Sequence, residues 1–443
     1  MERLILNKLL DWKASPYRKP LILKGVRQVG KTWLLKEFGR RCYENTAYFN
    51  FDENEEYKQF FETTKNVDRI LQNLMLASGQ KIVPEKTLII FDEVQECPKV
   101  INSMKYFCEN APQYHITCAG SLLGIALARP SSFPVGKVNF MQIDPMTFTE
   151  FLLANGDKTL ARYLEQVDTI EPIPDAFFNP LYDKLKMYYV TGGMPEPVLM
   201  WTEARDVPAM QEAMSGIIGA YEQDFAKHPN IHEFPKISMI WKSIPSQLAR
   251  ENKKFLYKVV KNGARAREYE DALQWLVDAR LVHKIYRSTA PRLPVSAYDD
   301  LSAFKIYLVD VGLLRRLAHL APTAFGEGNR LFTEFKGALT ENFVLQTLLT
   351  QFEVVPRYWS QNNPPYEVDF LIQRENDLFP VEVKSETNTT SKSLKKFKDL
   401  FPDQIKLRIR FSLENLKMDD EVLNIPLFMA DQSNRLIGLA LDR

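Results

Sequence analysis

Gly25-Val26-Arg27-Gln28-Val29-Gly30-Lys31-Thr32 is the stretch on which the reading of this chain turns. It is a full match to the pattern G-x-x-x-x-G-K-[ST]. The apolar run Pro20-Leu21-Ile22-Leu23 before it reads as a short buried strand, and Trp33-Leu34-Leu35-Lys36-Glu37-Phe38 after it reads as a helix. A glycine loop between a strand and a helix N-terminus aims backbone N–H groups at an anion. Gly25 and Gly30 let the backbone approach phosphate oxygens, and Val26, Arg27, Gln28 and Val29 complete the cradle. Lys31 would reach the β- and γ-phosphates, and the Thr32 hydroxyl would bind Mg²⁺. The ligand expected from these eight residues is a nucleoside triphosphate with Mg²⁺.

A second stretch supports the first. Lys86-Thr87-Leu88-Ile89-Ile90-Phe91-Asp92-Glu93 is a continuous apolar strand ending in two acids. Unbroken apolar character marks a central parallel strand, and ligands bind outside the carboxyl ends of such strands. Asp92 is expected to hold Mg²⁺, and Glu93 to orient and deprotonate an attacking water. A third strand, His115-Ile116-Thr117-Cys118-Ala119, runs into Gly120-Ser121. Ser121 is a candidate sensor of the γ-phosphate or the water; the competing role is a cap for helix 122–128. Arg129, before Pro130, is a candidate arginine finger toward a neighbouring subunit, with a plain surface role as the alternative.

Bulk properties set bounds. A chain of 443 residues holds several domains, and 45% hydrophobic with 26% charged residues is a globular balance. The formal net charge of +1 means that nucleic-acid contact must come from a local patch. Cys42, Cys97, Cys108 and Cys118 form no C-x-x-C pair and no zinc spacing, which favours a reducing compartment. The start, Met1-Glu2-Arg3-Leu4, lacks a signal-peptide core, and no apolar run spans a bilayer. A cytoplasmic protein with no membrane partner is expected. His228 and His232 are spaced i, i+4, but Pro229 lies between them, so they read as loop residues.

The chain resembles the prokaryotic AAA-class ATPases called archaeal-type predicted ATPases. The resemblance rests on the glycine loop with Arg27-Gln28 inside it, Asp92-Glu93-Val94-Gln95, Gly120-Ser121 and Pro145-Met146-Thr147-Phe148-Thr149-Glu150-Phe151-Leu152. It continues through Gly192-Gly193-Met194-Pro195-Glu196 and through Phe304-Lys305-Ile306-Tyr307-Leu308-Val309-Asp310-Val311-Gly312-Leu313-Leu314. In that group the ATPase core precedes a C-terminal domain long labelled of unknown function. In related signalling ATPases a Gly-x-Pro element of the helical lid touches the adenine; Gly193-Met194-Pro195 matches it, which implies that Pro195 contacts the nucleotide. Gly136-Lys137 departs from the usual Gly-Arg.

Residues 150–230 are helical by periodicity and read as the lid, with Pro172, Pro174 and Pro180 as breaks between helices. Ile237–Arg250, Phe255–Lys261 and Arg267–Ala279 read as three helices, followed by strands at Leu281–Tyr286 and Phe304–Val309. Three helices and a hairpin describe a winged helix-turn-helix. Lys253, Lys254, Lys258, Lys261, Arg265 and Arg267 cluster where phosphates would be neutralised, or are simply solvated.

The tail carries the second chemical signal. Tyr366–Ile372 and Phe379–Lys384 both alternate, so a hairpin tip near Glu375-Asn376 sets Asp369 beside Glu382. Two opposed acids repel unless a divalent cation lies between them, and Lys384 would stabilise developing charge. Glu341 sits on an apolar stripe of helix 335–350 with Ala338, Val344, Leu345 and Leu348. Helix Glu, strand Asp and Glu-x-Lys together resemble the PD-(D/E)xK nuclease superfamily. On that resemblance Glu341, Asp369, Glu382 and Lys384 are catalytic, with Asp369 and Glu382 as metal ligands for Mg²⁺ or Mn²⁺. Lys392, Lys395, Lys396 and Lys398 would line a DNA path.

The expected fold class is α/β. A P-loop parallel sheet at 1–150 is followed by a helical lid at 151–233, a winged helix at 234–324 and a nuclease-like domain at 325–443. The expected function is an ATP-hydrolysing protein coupled to a DNA-acting, metal-dependent nuclease-like domain, with homo-oligomerisation to complete the ATPase site. The rival is an ATP-dependent switch or adaptor that binds a protein partner and keeps an inactive nuclease fold.

Overall fold

The apolar runs that flank the glycine loop build a parallel sheet. The computed structural model of the chain describes residues 1–128, 134–227, 230–250, 253–322, 330–385 and 391–442. The strands β1 (Leu21–Lys24), β2 (Asn45–Asn50), β3 (Thr87–Asp92), β4 (His115–Cys118) and β5 (Asn139–Gln142) lie in the order β2-β3-β4-β1-β5. Every neighbouring pair is parallel, so all five carboxyl ends share one edge. Strand β3 is buried along its whole length, as its unbroken apolar run requires. Phe91 on β3 packs edge-on against Phe61 at 5.5 Å and Phe51 at 5.7 Å between ring centroids. Aromatic contacts of this kind, with full burial, make truncation of Phe91 worth about 3–5 kcal/mol.

The described chain packs as two compact units. The first holds Glu2–Asp144 together with Asp278–Arg280; the second holds Pro145–Val277 and Leu281–Arg443.

Helices Phe148–Ala154, Lys158–Gln166, Asp175–Thr191, Pro195–Ala204 and Val207–Asp224 open the second unit. A capping box at Thr147 and Glu150 starts the first of them. Pro180 was expected between helices but lies inside Asp175–Thr191. It removes one bond near the helix start, and the buried Leu181, Leu185 and Tyr188 beyond it hold the helix against the core. Helices Phe234–Leu248, Tyr257–Val260 and Ala266–Asp278 follow. The middle one is shorter than Phe255–Lys261 because Phe255 is drawn elsewhere: its N–H donates to the Phe304 carbonyl at 2.8 Å, and its ring stacks on Phe304 at 5.3 Å.

The largest departure from expectation concerns the hairpin. Strands β6 (Val282–Ser288) and β7 (Asp299–Leu308) do not stand apart as a wing. They extend an eight-stranded mixed sheet that also contains β8 (Arg357–Asn362), β9 (Pro365–Arg374), β10 (Asp377–Val383), β11 (Arg408–Ser412), β12 (Lys417–Asp419) and β13 (Val422–Pro426). The order is β12-β13-β11-β10-β9-β8-β6-β7. Helix Arg330–Gln351 packs on this sheet with Leu339, Val344, Leu345 and Leu348 fully buried.

Buried polar side chains clasp segments of this unit that are remote in sequence. The Asn342 amide pairs with the backbone of Leu308, accepting at 2.8 Å and donating at 3.0 Å. Asp310 accepts from the N–H of Gly193 at 2.7 Å and of Leu313 at 2.9 Å. Asp431 accepts from the Thr149 N–H at 2.7 Å. Satisfied buried groups of this kind specify which segments meet, and here they bind the expected lid, hairpin and tail into one body. Among the described residues no helix is long and apolar enough to cross a membrane.

Candidate functional site

The glycine loop follows β1, between β4 and the edge strand β5, at the carboxyl edge of the first sheet. Gly30 has φ +94° and precedes helix Lys31–Cys42, a turn that suits only glycine without strain. Gly25 is equally constrained: a Cβ there would stand 2.5 Å from the Ile143 carbonyl. Lys31 is buried, and its ammonium donates to the carbonyls of Gly25 at 2.9 Å and Val26 at 2.8 Å. Burial pushes it down to about 8, against the opposing charges of Glu93 and Asp92. Arg3, from the start of the chain, is buried beneath the loop and donates to the Val29 carbonyl at 3.1 Å and the Asp144 carbonyl at 2.7 Å.

Thr32 and Asp92 meet, although 60 residues separate them. The Thr32 hydroxyl donates to Asp92 Oδ2 at 2.7 Å, and the Tyr48 hydroxyl donates to the same oxygen at 3.0 Å. A hydroxyl and a carboxylate at the phosphate loop are the oxygen donors a magnesium ion takes alongside phosphate oxygens and water. Glu93 follows with φ 52°, a left-handed backbone at the end of the strand. The Gln95 amide donates to Glu93 Oε2 at 2.5 Å, and the Ser121 N–H donates to the same oxygen at 3.3 Å. Gly120 makes room for this arrangement, since a Cβ there would stand 2.2 Å from Gln95 Oε1. Ser121 lies two residues before helix Leu123–Ala128 and so is not its immediate cap.

Loop, acids and parallel sheet agree with an independent finding: residues 17–152 match the family model described as an AAA domain. The first unit is an AAA-class P-loop ATPase domain. Residues 182–324 and 336–428 match two models described as domains of unknown function (DUF8612 and DUF4143). No curated protein matches the chain. Among solved structures, a Walker-type ATPase of Pyrococcus abyssi is 14% identical, covering 72% of this chain and 95% of that one with a TM-score of 0.43. The Aeropyrum pernix Orc1 protein in complex with DNA is 13% identical, covering 71% and 91%, with a TM-score of 0.28. The Thermotoga maritima RuvB Holliday junction branch migration motor is 12% identical, covering 67% and 91%, with a TM-score of 0.30. The domain match and the loop geometry, not these likenesses, carry the assignment of the ATPase unit.

Pro195 lies in the second unit as the first residue of helix Pro195–Ala204, partly exposed, where a proline costs no hydrogen bond. The two glycines before it have local reasons. Gly192 has φ +66°, and a Cβ on it would stand 2.1 Å from Asp310 Oδ1. A Cβ on Gly193 would stand 2.2 Å from the Met146 carbonyl. Two motifs therefore meet at Asp310, which lies 117 residues beyond Gly193.

The acids of the tail form a buried cluster in the second unit. The β9–β10 hairpin turns at Glu375-Asn376, with Asp377 opposite Arg374 and Val381 opposite Phe370. One step further along that register places Glu382 beside Asp369, as the alternation requires. Asp369 Oδ2 accepts from the Val383 N–H at 2.8 Å. Burial, with Glu341 as the chief repelling neighbour, pushes Asp369 up to about 7. Glu382 is buried; one carboxylate oxygen pairs with Lys384 at 2.8 Å, and the other, Oε2, has no partner. Glu341 is taken up differently from expectation. It pairs with Lys253 and accepts from the Tyr307 hydroxyl at 3.1 Å. Burial alone would raise it, but Lys253 and Lys305 outweigh burial and hold it below its ordinary value. Lys305 is fully buried and pairs with Glu367. Among the described residues no three His, Cys, Asp or Glu side chains stand together as a metal site.

Several participants were missed by sequence reasoning: Tyr48, Gln95 and Arg3 around the phosphate loop, and Lys253, Lys305, Tyr307 and Glu367 in the tail cluster. Lys305 and Tyr307 sit two apart on a strand, as do Glu367 and Asp369, so the alternation that flagged Asp369 is the signal that could have found them. Lys253, grouped with the surface bases, is turned inward. Lys398 likewise serves the fold, donating to the Ile405 carbonyl, while Lys392 and Lys395 are exposed. Arg129, Pro130, His228 and Pro229 lie outside the described residues.

Proposed function

We propose that this protein binds and hydrolyses Mg²⁺-ATP in its first unit and uses the cycle to act on DNA through a nuclease-like second unit. The observation that carries the ATPase half is the contact of Thr32 with Asp92 at 2.7 Å beside the buried Lys31. In this reading the loop N–H groups of residues 26–31 and the Lys31 ammonium hold the phosphates. Thr32 and Asp92 would hold Mg²⁺, which would supply neutralisation of phosphate charge. Glu93 takes the proton of the attacking water. Gln95 and the Ser121 N–H orient its carboxylate, and Ser121 stands at the γ-phosphate end.

The DNA half is supported by the Asp369–Glu382 juxtaposition and by the unpartnered, buried Glu382 Oε2. A buried carboxylate oxygen without a donor favours a cation. Asp369 and Glu382 would hold Mg²⁺ or Mn²⁺, which supplies a Lewis acid for phosphodiester chemistry. Lys384 is held by Glu382 at the edge of this pair and would stabilise charge on the phosphate. Glu341, paired with Lys253, acts as a positioning residue and not as a ligand.

Two measurements test the halves separately. The native protein should hydrolyse ATP with Mg²⁺, and Lys31→Ala should lose nucleotide binding; a Lys31→Ala variant that binds ATP as the native chain does overturns the first half. The native protein with Mn²⁺ should cut duplex, branched or single-stranded DNA, and Asp369→Asn should not. Equal cutting by both, or none by the native protein, overturns the second.

A further inference from the structure

The carboxyl ends of β10 and β11 hold charge that the fold itself does not use. The two strands are parallel neighbours, with Val381 opposite Ile409, Glu382 opposite Arg410 and Val383 opposite Phe411. The ladder runs on past them, since the Lys384 N–H donates to the Phe411 carbonyl at 2.8 Å. A side-chain period of two sets Val381 and Ile409 on one face of the sheet, and Glu382 and Arg410 side by side on the other.

Glu382 and Arg410 are each only 6% exposed. Among the described residues no hydrogen bond or ion pair reaches the Arg410 guanidinium, and its buried Nε has no partner. The polar neighbours on that face are taken up. Arg408, two residues earlier and as deeply buried, is held by the carbonyl and the carboxylate of Asp420. Asn424, opposite Arg410 on β13, accepts from the Ser412 hydroxyl at 2.8 Å and donates to the carbonyls of Glu414 at 3.2 Å and Asn415 at 2.9 Å. Glu382 gives one oxygen to Lys384 and leaves Oε2 open.

A buried charge without a partner is costly to a fold. The open guanidinium calls for an anion and the open carboxylate oxygen for a cation, and no ion pair among the described residues joins the two to each other. A metal-bound phosphate supplies both needs at once: the metal to Glu382 Oε2, and phosphate oxygens to the paired donors of the arginine. Carboxyl ends of parallel strands are also where such sheets take ligands. Lys384 has its charge taken by Glu382, whereas that of Arg410 is unspent.

We propose that Arg410 is a phosphate-binding residue of the second unit, which donates to the nonbridging oxygens of a nucleic-acid phosphodiester beside Glu382. The proposal rests on the nuclease-like reading of Asp369 and Glu382 and adds to it the group that grips the substrate.

The test uses the full chain carrying Lys31→Ala, which silences the phosphate loop, alone and combined with Arg410→Met or Arg410→Lys. The ligands are inorganic phosphate and labelled duplex DNA, each with Ca²⁺ as the oxygen-binding cation. Arg410→Met removes a buried charge that has no partner, so the ligand-free melting temperature should rise by about 2 °C or more. It should also weaken DNA binding by about tenfold or more, the loss expected for charge-assisted hydrogen bonds. Arg410→Lys, which keeps the charge without the paired donors, should fall between. Phosphate should raise the melting temperature of the parent and not that of Arg410→Met. A ligand-free melting temperature at or below the parent's overturns the proposal, because it gives the arginine a structural partner. Parental DNA affinity in Arg410→Met overturns it too, and protection by phosphate without DNA binding overturns the phosphodiester as ligand. If instead the Arg410 variants behave as expected while a Mn²⁺ titration finds no metal on the native chain, the metal reading of Asp369 and Glu382 falls and the role of Arg410 stands.

Discussion

Binding of ATP should carry a proton with it, and the amount should depend steeply on pH. Lys31 is buried beneath the loop, and burial brings its ammonium from 10.5 down to about 8. At pH 7 about a tenth of the lysine is then uncharged, and at pH 9 about nine-tenths. A triphosphate selects the charged form, so binding should take up about 0.1 proton at pH 7 and about 0.9 at pH 9. Affinity should fall about tenfold per pH unit between about pH 8 and 10.5. The sign for stability is opposite. Between about 8 and 10.5 the unfolded chain keeps a proton on this lysine that the folded chain has released, so the nucleotide-free protein gains stability as pH rises through that window. Calorimetric titration in two buffers of different ionisation enthalpy reads the uptake directly. Zero uptake at pH 9 in a protein that binds ATP would refute the reasoning. So would equal uptake in Lys31→Arg, whose side chain does not titrate in this range.

The remaining predictions concern the acids. Glu93→Gln should keep ATP affinity and lower turnover by about 100-fold or more, the usual worth of a general base; a phosphate-release assay showing native turnover removes Glu93 from that role. Glu367→Gln removes the carboxylate that pairs directly with the buried Lys305 ammonium, leaving the charge of Glu341 to oppose it, and should destabilise the fold by about 2 kcal/mol in urea unfolding. A change within error there would mean that the pair contributes nothing. Asp369 is raised to about 7, so the folded chain holds its proton where the unfolded chain does not, and stability should fall as pH rises from about 4 to about 7. Asp369→Asn should flatten that fall in unfolding midpoints, and an unaltered pH profile would count against the assignment.

What the sequence determined by itself was what depends on neighbours along the chain. Eight contiguous residues dictate the phosphate loop, because its geometry is set by glycine φ angles and by one strand and one helix on either side. The unbroken run ending in Asp92-Glu93 was enough to place a central parallel strand. The β9–β10 pairing was equally legible: a two-residue tip at Glu375-Asn376 and a side-chain period of two leave a single register that sets Asp369 beside Glu382. Only the tertiary structure decided what surrounds those groups. Lys253 neutralises Glu341 from 88 residues away, Lys305 pairs with Glu367 across 62, and Asp310 reaches Gly193 across 117. Nor does any local pattern show that β6 and β7 would join the tail's sheet, or that residues 278–280 would seat themselves in the ATPase unit. Alternation says which face a charge is on, whereas its protonation and role depend on desolvation and on the charges brought against it by other elements.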